Sequence, residues 1–143
     1  DRPDEVLRSV HTFREWAGLV VEVAVDRLHH DEANRSVIER AKQYIRQQLG
    51  EQELSREQIA RHVYLNPDYL TRLFKKETGM SISDYLQQQR IEYAKHLLTH
   101  SDQPVSAVAL SAGYANLSYF STLFKKTTGL TPVEFRRQMR HTG

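Results

Sequence analysis

The septet LFKKETG at Leu73–Gly79 returns as LFKKTTG at Leu123–Gly129, with six of seven letters matched at an offset of fifty. The repetition extends well beyond the septet. Asn66, Tyr69 and Phe74 recur as Asn116, Tyr119 and Phe124, while Ile59-Ala60 recurs as Val108-Ala109 at an offset of 49. Matching caps, anchors and glycines over this distance mark an internal structural repeat.

Each copy reads as two helices and a tight turn. In the first, Ser55 and Gln58 form a capping box with Leu54 and Ile59 in the staple positions. Asn66-Pro67 then opens a second helix, with asparagine as N-cap and proline in the first helical position. Leu70, Leu73 and Phe74 give that helix its apolar face, and Gly79 its left-handed end. Small Ala60 lets the two helices approach closely, which is the helix-turn-helix pattern. The second turn, Ala112-Gly113-Tyr114-Ala115-Asn116, is one residue longer, and Gly113 suits the unusual backbone angles it needs. Further capping boxes follow each septet at Ser81-x-x-Asp84 and Thr131-x-x-Glu134.

Between the copies a helix is expected from Ser83 to about Thr99, with Tyr85, Leu86, Ala94, Leu97 and Leu98 inward. At 1.5 Å per residue it spans roughly 25 Å. Ahead of the repeat, Ile38, Ala41, Ile45 and Leu49 predict a helix from Val37 to about Leu49, with Gly50 as its stop. The polar stretch His29 to Arg35 reads as a linker or helix break. In the arm before it, Val6, Val10, Phe13, Ala17, Val20 and Ala24 approach a heptad seam. Such a helix serves either a homodimer through residues 5–28 or packing against its own chain or another domain. The expected fold is all-α: two helix-turn-helix subdomains joined by a long central helix, about seven helices, preceded by an N-terminal helical arm. The boundaries are 1–35 for the arm or linker, 36–80 and 101–143 for the two units, and 81–100 for the linking helix.

Composition narrows the function. The 143 residues contain no cysteine, which removes disulfides, zinc fingers and thiol catalysis together. No run of eighteen apolar residues is present, so no membrane partner is expected and the cytoplasm is the expected location. The chain begins at Asp1, as a piece of a longer protein would. The net charge of +2 is uneven: residues 1–33 hold four Arg against eight acids, −4, and residues 34–143 hold sixteen Lys or Arg against ten acids, +6. A basic body suits a polyanionic partner. No Ser-His-Asp grouping, glycine-rich phosphate loop or metal motif appears; His29-His30-Asp31-Glu32 has ligand types but no partner motif. Neither an enzyme, a cofactor nor a metal is expected.

The segments IARHVYLNPDYLTRLFKKETGMSISDYLQQQRIEYAKHLL and VSAVALSAGYANLSYFSTLFKKTTGLTPVEFRR strongly resemble the DNA-binding domain of the AraC/XylS family of bacterial transcription regulators. The likeness covers about residues 36–140, and the lead-in AKQYIRQQLG looks most like the output domains of YesN-type response regulators. It implies an all-helical domain of about seven helices that binds double-stranded DNA and controls transcription, fused in such proteins to a sensing domain. RNA polymerase would be a further partner of an activator. By resemblance, Asp68, Thr71 and Arg72 occupy base-reading positions, matched in the second unit by Leu117, Ser118, Ser121 and Thr122. Arginine is frequent where this chain has Thr122, so the first unit is expected to carry more specificity. Arg72 suits guanine O6 and N7, and Asp68 either a cytosine amino group or a helix-capping role. Lys75, Lys76, Lys125 and Lys126 are candidates for phosphate contact or for a solvated basic helix end. Arg90 matches a family arginine assigned to structural pairing. His62 is either exposed surface or a phosphate contact. The competing function is a protein-interaction module, an anti-activator, that has lost specific DNA binding.

Overall fold

The computed structural model describes residues 30–142. The chain divides into two units, Asp1–Val37 and Ile38–Gly143, and apart from residues 30–37 the architecture is that of the second. The expected heptad helix of the arm lies outside the described residues.

Seven helices and no strand are found among the described residues: α1 (30–47), α2 (Arg56–His62), α3 (Pro67–Thr78), α4 (Ile82–His100), α5 (Val105–Ser111), α6 (Leu117–Thr128) and α7 (Pro132–Thr142). The helix pairs α2–α3 and α5–α6 form two helix-turn-helix subdomains, with α4 running between them. No helix among the described residues is long and apolar enough to cross a membrane.

The helix ends follow the residues that cap them. Ser55 Oγ accepts from the Gln58 amide at 3.3 Å and Gln58 Oε1 accepts from the Ser55 amide at 3.2 Å, closing the box. Thr131 and Glu134 exchange the same two bonds at 3.2 and 3.3 Å. Ser81 accepts from the Asp84 amide at 3.1 Å, but the return bond is absent among the described residues, since Asp84 is one methylene shorter than glutamate. The septets end identically. Gly79 and Gly129 adopt φ of +78° and +85°, and the threonine before each locks the turn. Thr78 Oγ1 lies 2.7 Å from Phe74 O and accepts from the Met80 amide at 3.1 Å. Thr128 repeats this with Phe124 O at 2.8 Å and the Leu130 amide at 3.2 Å.

Phe74 and Phe124 are fully buried core anchors. Each meets an aromatic ring of the next helix edge-on at 5.4 Å, Phe74 on Tyr85 and Phe124 on Phe135. Burying a phenylalanine stabilises by about 1.5–3 kcal/mol, so the pair of anchors fixes both scaffolds. Helix α4 divides its face between them. Its first turn buries Ile82 and Tyr85, whereas Ile91, Ala94 and Leu98 belong to the core formed with Val108, Ala109, Phe120, Phe124 and Phe135. Of the residues expected inward, Leu86 and Leu97 are only half-buried.

Two expectations at the N-terminal side are corrected. Residues 30–35 are helical, not a linker or break, because the stretch contains neither glycine nor proline and Arg35 Nε reaches back to Asp31 O. The same helix stops at Gln47, and Gly50 is not its left-handed cap. Gly50 serves close approach instead: a Cβ there would lie 3.3 Å from Ser111 O.

Arg90 ties the two subdomains together. Its Nη2 donates to Glu51 O at 2.7 Å, and its guanidinium lies 5.6 Å from the Tyr114 ring centroid. Gly113, at φ +91°, makes room for this. A Cβ on it would fall 2.5 Å from Leu49 O and 2.8 Å from Arg90 Nε. Arg90 Nε is buried with no partner among the described residues, and burial lowers the group from its ordinary guanidinium value while leaving it charged. On the other side of α4, Arg136 donates to Leu98 O at 3.0 Å and Ser101 O at 3.2 Å, satisfying carbonyls at the helix end.

Candidate nucleic-acid interface

An interface that reads base edges needs polar side chains on the exposed face near the start of a helix. In α3 the burial of Leu70, Leu73 and Phe74 decides which residues these are. Asp68, Thr71, Arg72 and Lys75 follow at intervals of three, one and three, placing them on the opposite face. Asp68, Arg72 and Lys75 are exposed, and Thr71 is half-buried. Arg72 makes no hydrogen bond or ion pair among the described residues, leaving its planar donor fork open.

Asp68 is not the N-cap of its helix, although its carboxylate stands in the first turn, where it suits the helix dipole. The N-cap position is filled by Asn66, whose Oδ1 accepts from the Asp68 amide at 2.9 Å and the Tyr69 amide at 3.2 Å. Asp68 Oδ1 instead pairs with Arg56 Nη1 at 3.3 Å. Thr71 Oγ1 donates to Pro67 O at 2.9 Å and accepts from Arg56 Nη1 at 3.5 Å. The spacing of residues along the sequence does not point to Arg56, because it stands on α2 and meets α3 only through the fold. The capping box at Ser55, one residue before it, was the available signal.

The second unit presents the same frame with different chemistry. Asn116 Oδ1 accepts from the Tyr119 amide at 2.9 Å, and Phe120 and Phe124 turn inward. Leu117, Ser118 and Thr122 are exposed and Ser121 is half-buried. No charged side chain precedes Lys125 on this helix, and α5, with sequence VSAVALS, has none to lend it. Leu117 is 43% exposed and Tyr119 57% exposed, so this end offers apolar and aromatic contact surface.

All four septet lysines, Lys75, Lys76, Lys125 and Lys126, are exposed in the last turn of their helices. Lys126 also borders a groove of about 470 Å³ with Tyr119, Thr122, Leu123 and, from α4, Gln87. His62 is accounted for by stacking on Tyr44, with ring centroids 4.1 Å apart and planes at 14°.

The turns entering α3 and α6 share a feature that the sequence conceals. Tyr64 has φ +60° and is 88% exposed, occupying the left-handed position that Gly113 fills in the second turn. The hydrogen bonds agree, with the Leu65 amide on Ala60 O and the Tyr114 amide on Ala109 O.

Comparison with known proteins gives this frame a family. A helix-turn-helix domain profile matches residues 59–138. The transcriptional regulatory protein YesN of Bacillus subtilis is 43% identical over 83 residues, covering 57% of this chain and 23% of that one. The chain thus spans about a quarter of the length of such curated relatives. Among solved structures, the C-terminal domain of AraT, a response regulator from Geobacillus stearothermophilus, matches with 36% identity. Its TM-score is 0.68, over 71% of this chain and 84% of that one. The DNA-binding domain of AdpA, a global transcriptional factor solved with a target DNA, is 25% identical with a TM-score of 0.68 over 73% and 94%. The chain belongs to the AraC-type helix-turn-helix family of DNA-binding transcription regulators.

Proposed function

We propose that residues 36–143 bind double-stranded DNA with α3 and α6 in major grooves, as the output domain of a larger signal-responsive regulator. The observation that carries this reading is the polar stripe Asp68, Thr71, Arg72 and Lys75, set opposite a buried face and repeated at Ser118, Ser121, Thr122 and Lys125, in which all but half-buried Thr71 and Ser121 are exposed. The likeness to AdpA, solved on DNA, and to AraT, a response regulator, supports the partner and the context. Residues 36–80 and 101–143 act as the two reading units, 81–100 as the rod between them, and 1–35 as an arm ahead of them.

Specificity is concentrated in α3. Arg72 has a free planar fork suited to guanine O6 and N7, worth about 1–3 kcal/mol of discrimination. Leu117, Ser118, Ser121 and Thr122 supply contact and register, with Leu117 suited to a thymine methyl. The four septet lysines lie beside the phosphates, where they add affinity without much sequence information. Homodimerisation through residues 5–28 rests on the heptad spacing there, RNA polymerase is a partner if the regulator activates, and the cytoplasm is its place of work.

Selecting bound sites from random DNA tests the reading. Arg72→Ala should relax the preference at one position, whereas Lys75→Ala should weaken all sites alike and reduce the salt slope by about 1. An unchanged sequence preference in Arg72→Ala removes α3 as the main reader. No enrichment by the unaltered chain favours the protein-interaction module instead.

A further inference from the structure

Arg56 opens α2 and stands twelve residues before Asp68, yet its guanidinium is shared among three groups. Nη1 lies 3.3 Å from Asp68 Oδ1 and 3.5 Å from Thr71 Oγ1, and Nε lies 3.2 Å from Glu57 Oε1. Resting on the DNA-binding reading above, we propose that Arg56 is a specificity-determining positioning residue. It holds Asp68 and Thr71 as a paired acceptor array for an exocyclic base amino group, with cytosine N4 the best fit for Asp68.

Three features lead there. First, Asp68 is released from helix capping, because Asn66 already accepts from the Asp68 and Tyr69 amides. Its side chain is 76% exposed at the leading end of α3, where base edges are reached. Second, a bare carboxylate at that place would be repelled by the phosphates on either side. An arginine at 3.3 Å offsets its charge while occupying one of about four acceptor sites, so the carboxylate keeps lone pairs for a base. Third, Thr71 has committed its only hydroxyl hydrogen to Pro67 O at 2.9 Å. Toward any other group it can only accept, so it and Asp68 present the same sign of hydrogen-bonding group. Cytosine N4 and adenine N6 are the donors the major groove offers, and carboxylates pair typically with cytosine.

Glu57 completes the device from behind. Its carboxyl is held below the ordinary value, first by its backbone amide hydrogen bond and then by Arg56, so it stays ionised and steadies the guanidinium from the α2 side. The second unit has nothing comparable. Val105 opens α5 where Arg56 opens α2, and Ser118 stands where Asp68 stands. The unit is therefore peculiar to the α3 end of the domain.

The test is a double-mutant cycle on the full 143-residue chain, read by site selection from random DNA and by affinity for the best selected site and a scrambled one. Asp68→Ala should lose a cytosine preference at one position. Arg56→Ala should lose that same preference and also weaken binding to both DNAs by roughly fivefold, because the freed carboxylate faces phosphate. The double variant should then lack the cytosine preference, as Asp68→Ala does, and recover the general affinity of the unaltered chain, because the cation and the carboxylate are removed together. Arg56→Lys, which keeps the charge but not the fork, should keep the general affinity and blur the cytosine preference. Thermal melting of all four variants close to that of the unaltered chain shows that the effects arise at the interface. Independent, additive losses in the cycle, or a cytosine preference that survives Arg56→Ala, overturn the proposal while leaving the DNA reading intact. If the unaltered chain enriches no sequence, the DNA reading falls and this inference with it.

Discussion

Replacing Gly113 with alanine should be far more damaging than the same change at the two other left-handed glycines. All three positions carry positive φ, +78° at Gly79, +91° at Gly113 and +85° at Gly129. Alanine in that region costs about 1–2 kcal/mol. At Gly79 and Gly129 nothing lies within 4 Å of the added Cβ, so the backbone cost is the whole cost. At Gly113 the new carbon would meet Leu49 O at 2.5 Å and Arg90 Nε at 2.8 Å. Leu49 O is backbone and cannot rotate away, so the loop at residues 49–51 must move. That movement strains or breaks the 2.7 Å bond from Arg90 to Glu51 O, and a hydrogen bond from a charged group contributes about 1.5–3 kcal/mol. The Gly113→Ala loss is then about 2.5–5 kcal/mol, against about 1–2 for Gly79→Ala and Gly129→Ala. Urea denaturation of the three variants measures this, provided the slope m is unchanged. A Gly113→Ala loss within 1 kcal/mol of the other two would refute the idea that Arg90 and the 49–51 loop press on the second turn.

Two further outcomes follow from the same region and its counterpart. Tyr64→Gly should raise stability by about 0.5 kcal/mol, since relief of the left-handed strain slightly exceeds the added freedom of glycine in the unfolded chain. A loss on urea denaturation would show that the exposed ring contributes packing. Burial raises the Tyr114 phenol above its ordinary value, more than nearby Arg90 lowers it. The folded state therefore prefers the protonated phenol, and that preference contributes fully below the unfolded value near pH 10 and fades as pH rises above it. Melting temperature should fall less steeply above about pH 10 in Tyr114→Phe than in the unaltered chain, and parallel curves would count against it.

Much of this architecture was legible in the residues because caps are local. Ser55 with Gln58, Asn66 with Pro67, and the glycine after each septet state where helices begin and end within a few positions. The apolar spacing around Phe74 and Phe124 likewise says which face turns inward. What escaped notice depends on approach between distant segments, or on residues whose type carries no signal. Residues 30–35 look like a linker through polarity alone, yet hold no helix breaker. Gly50 looks like a helix stop, but its small size serves the approach of Ser111 O. A tyrosine announces nothing about a left-handed turn, and only its alignment with Gly113 exposes Tyr64. The interface shows the same division. The face bearing Asp68, Thr71, Arg72 and Lys75 follows from periodicity, whereas Arg56 joins it from another helix. The repeated septet itself proves to be a scaffold element: phenylalanine inward, threonine and glycine closing the helix, lysines outside. The two copies diverge in the residues just before it.

Dimethyl sulfate interference on a selected binding site tests the central claim most directly, because methylation at guanine N7 blocks the major groove and methylation at adenine N3 the minor groove. Two patches of guanine interference are expected about one helical turn apart, ~10 base pairs. The patch lost in Arg72→Ala should contain the more sharply selected bases. A single patch, or interference confined to adenine N3, would contradict two major-groove reading helices with α3 as the principal one.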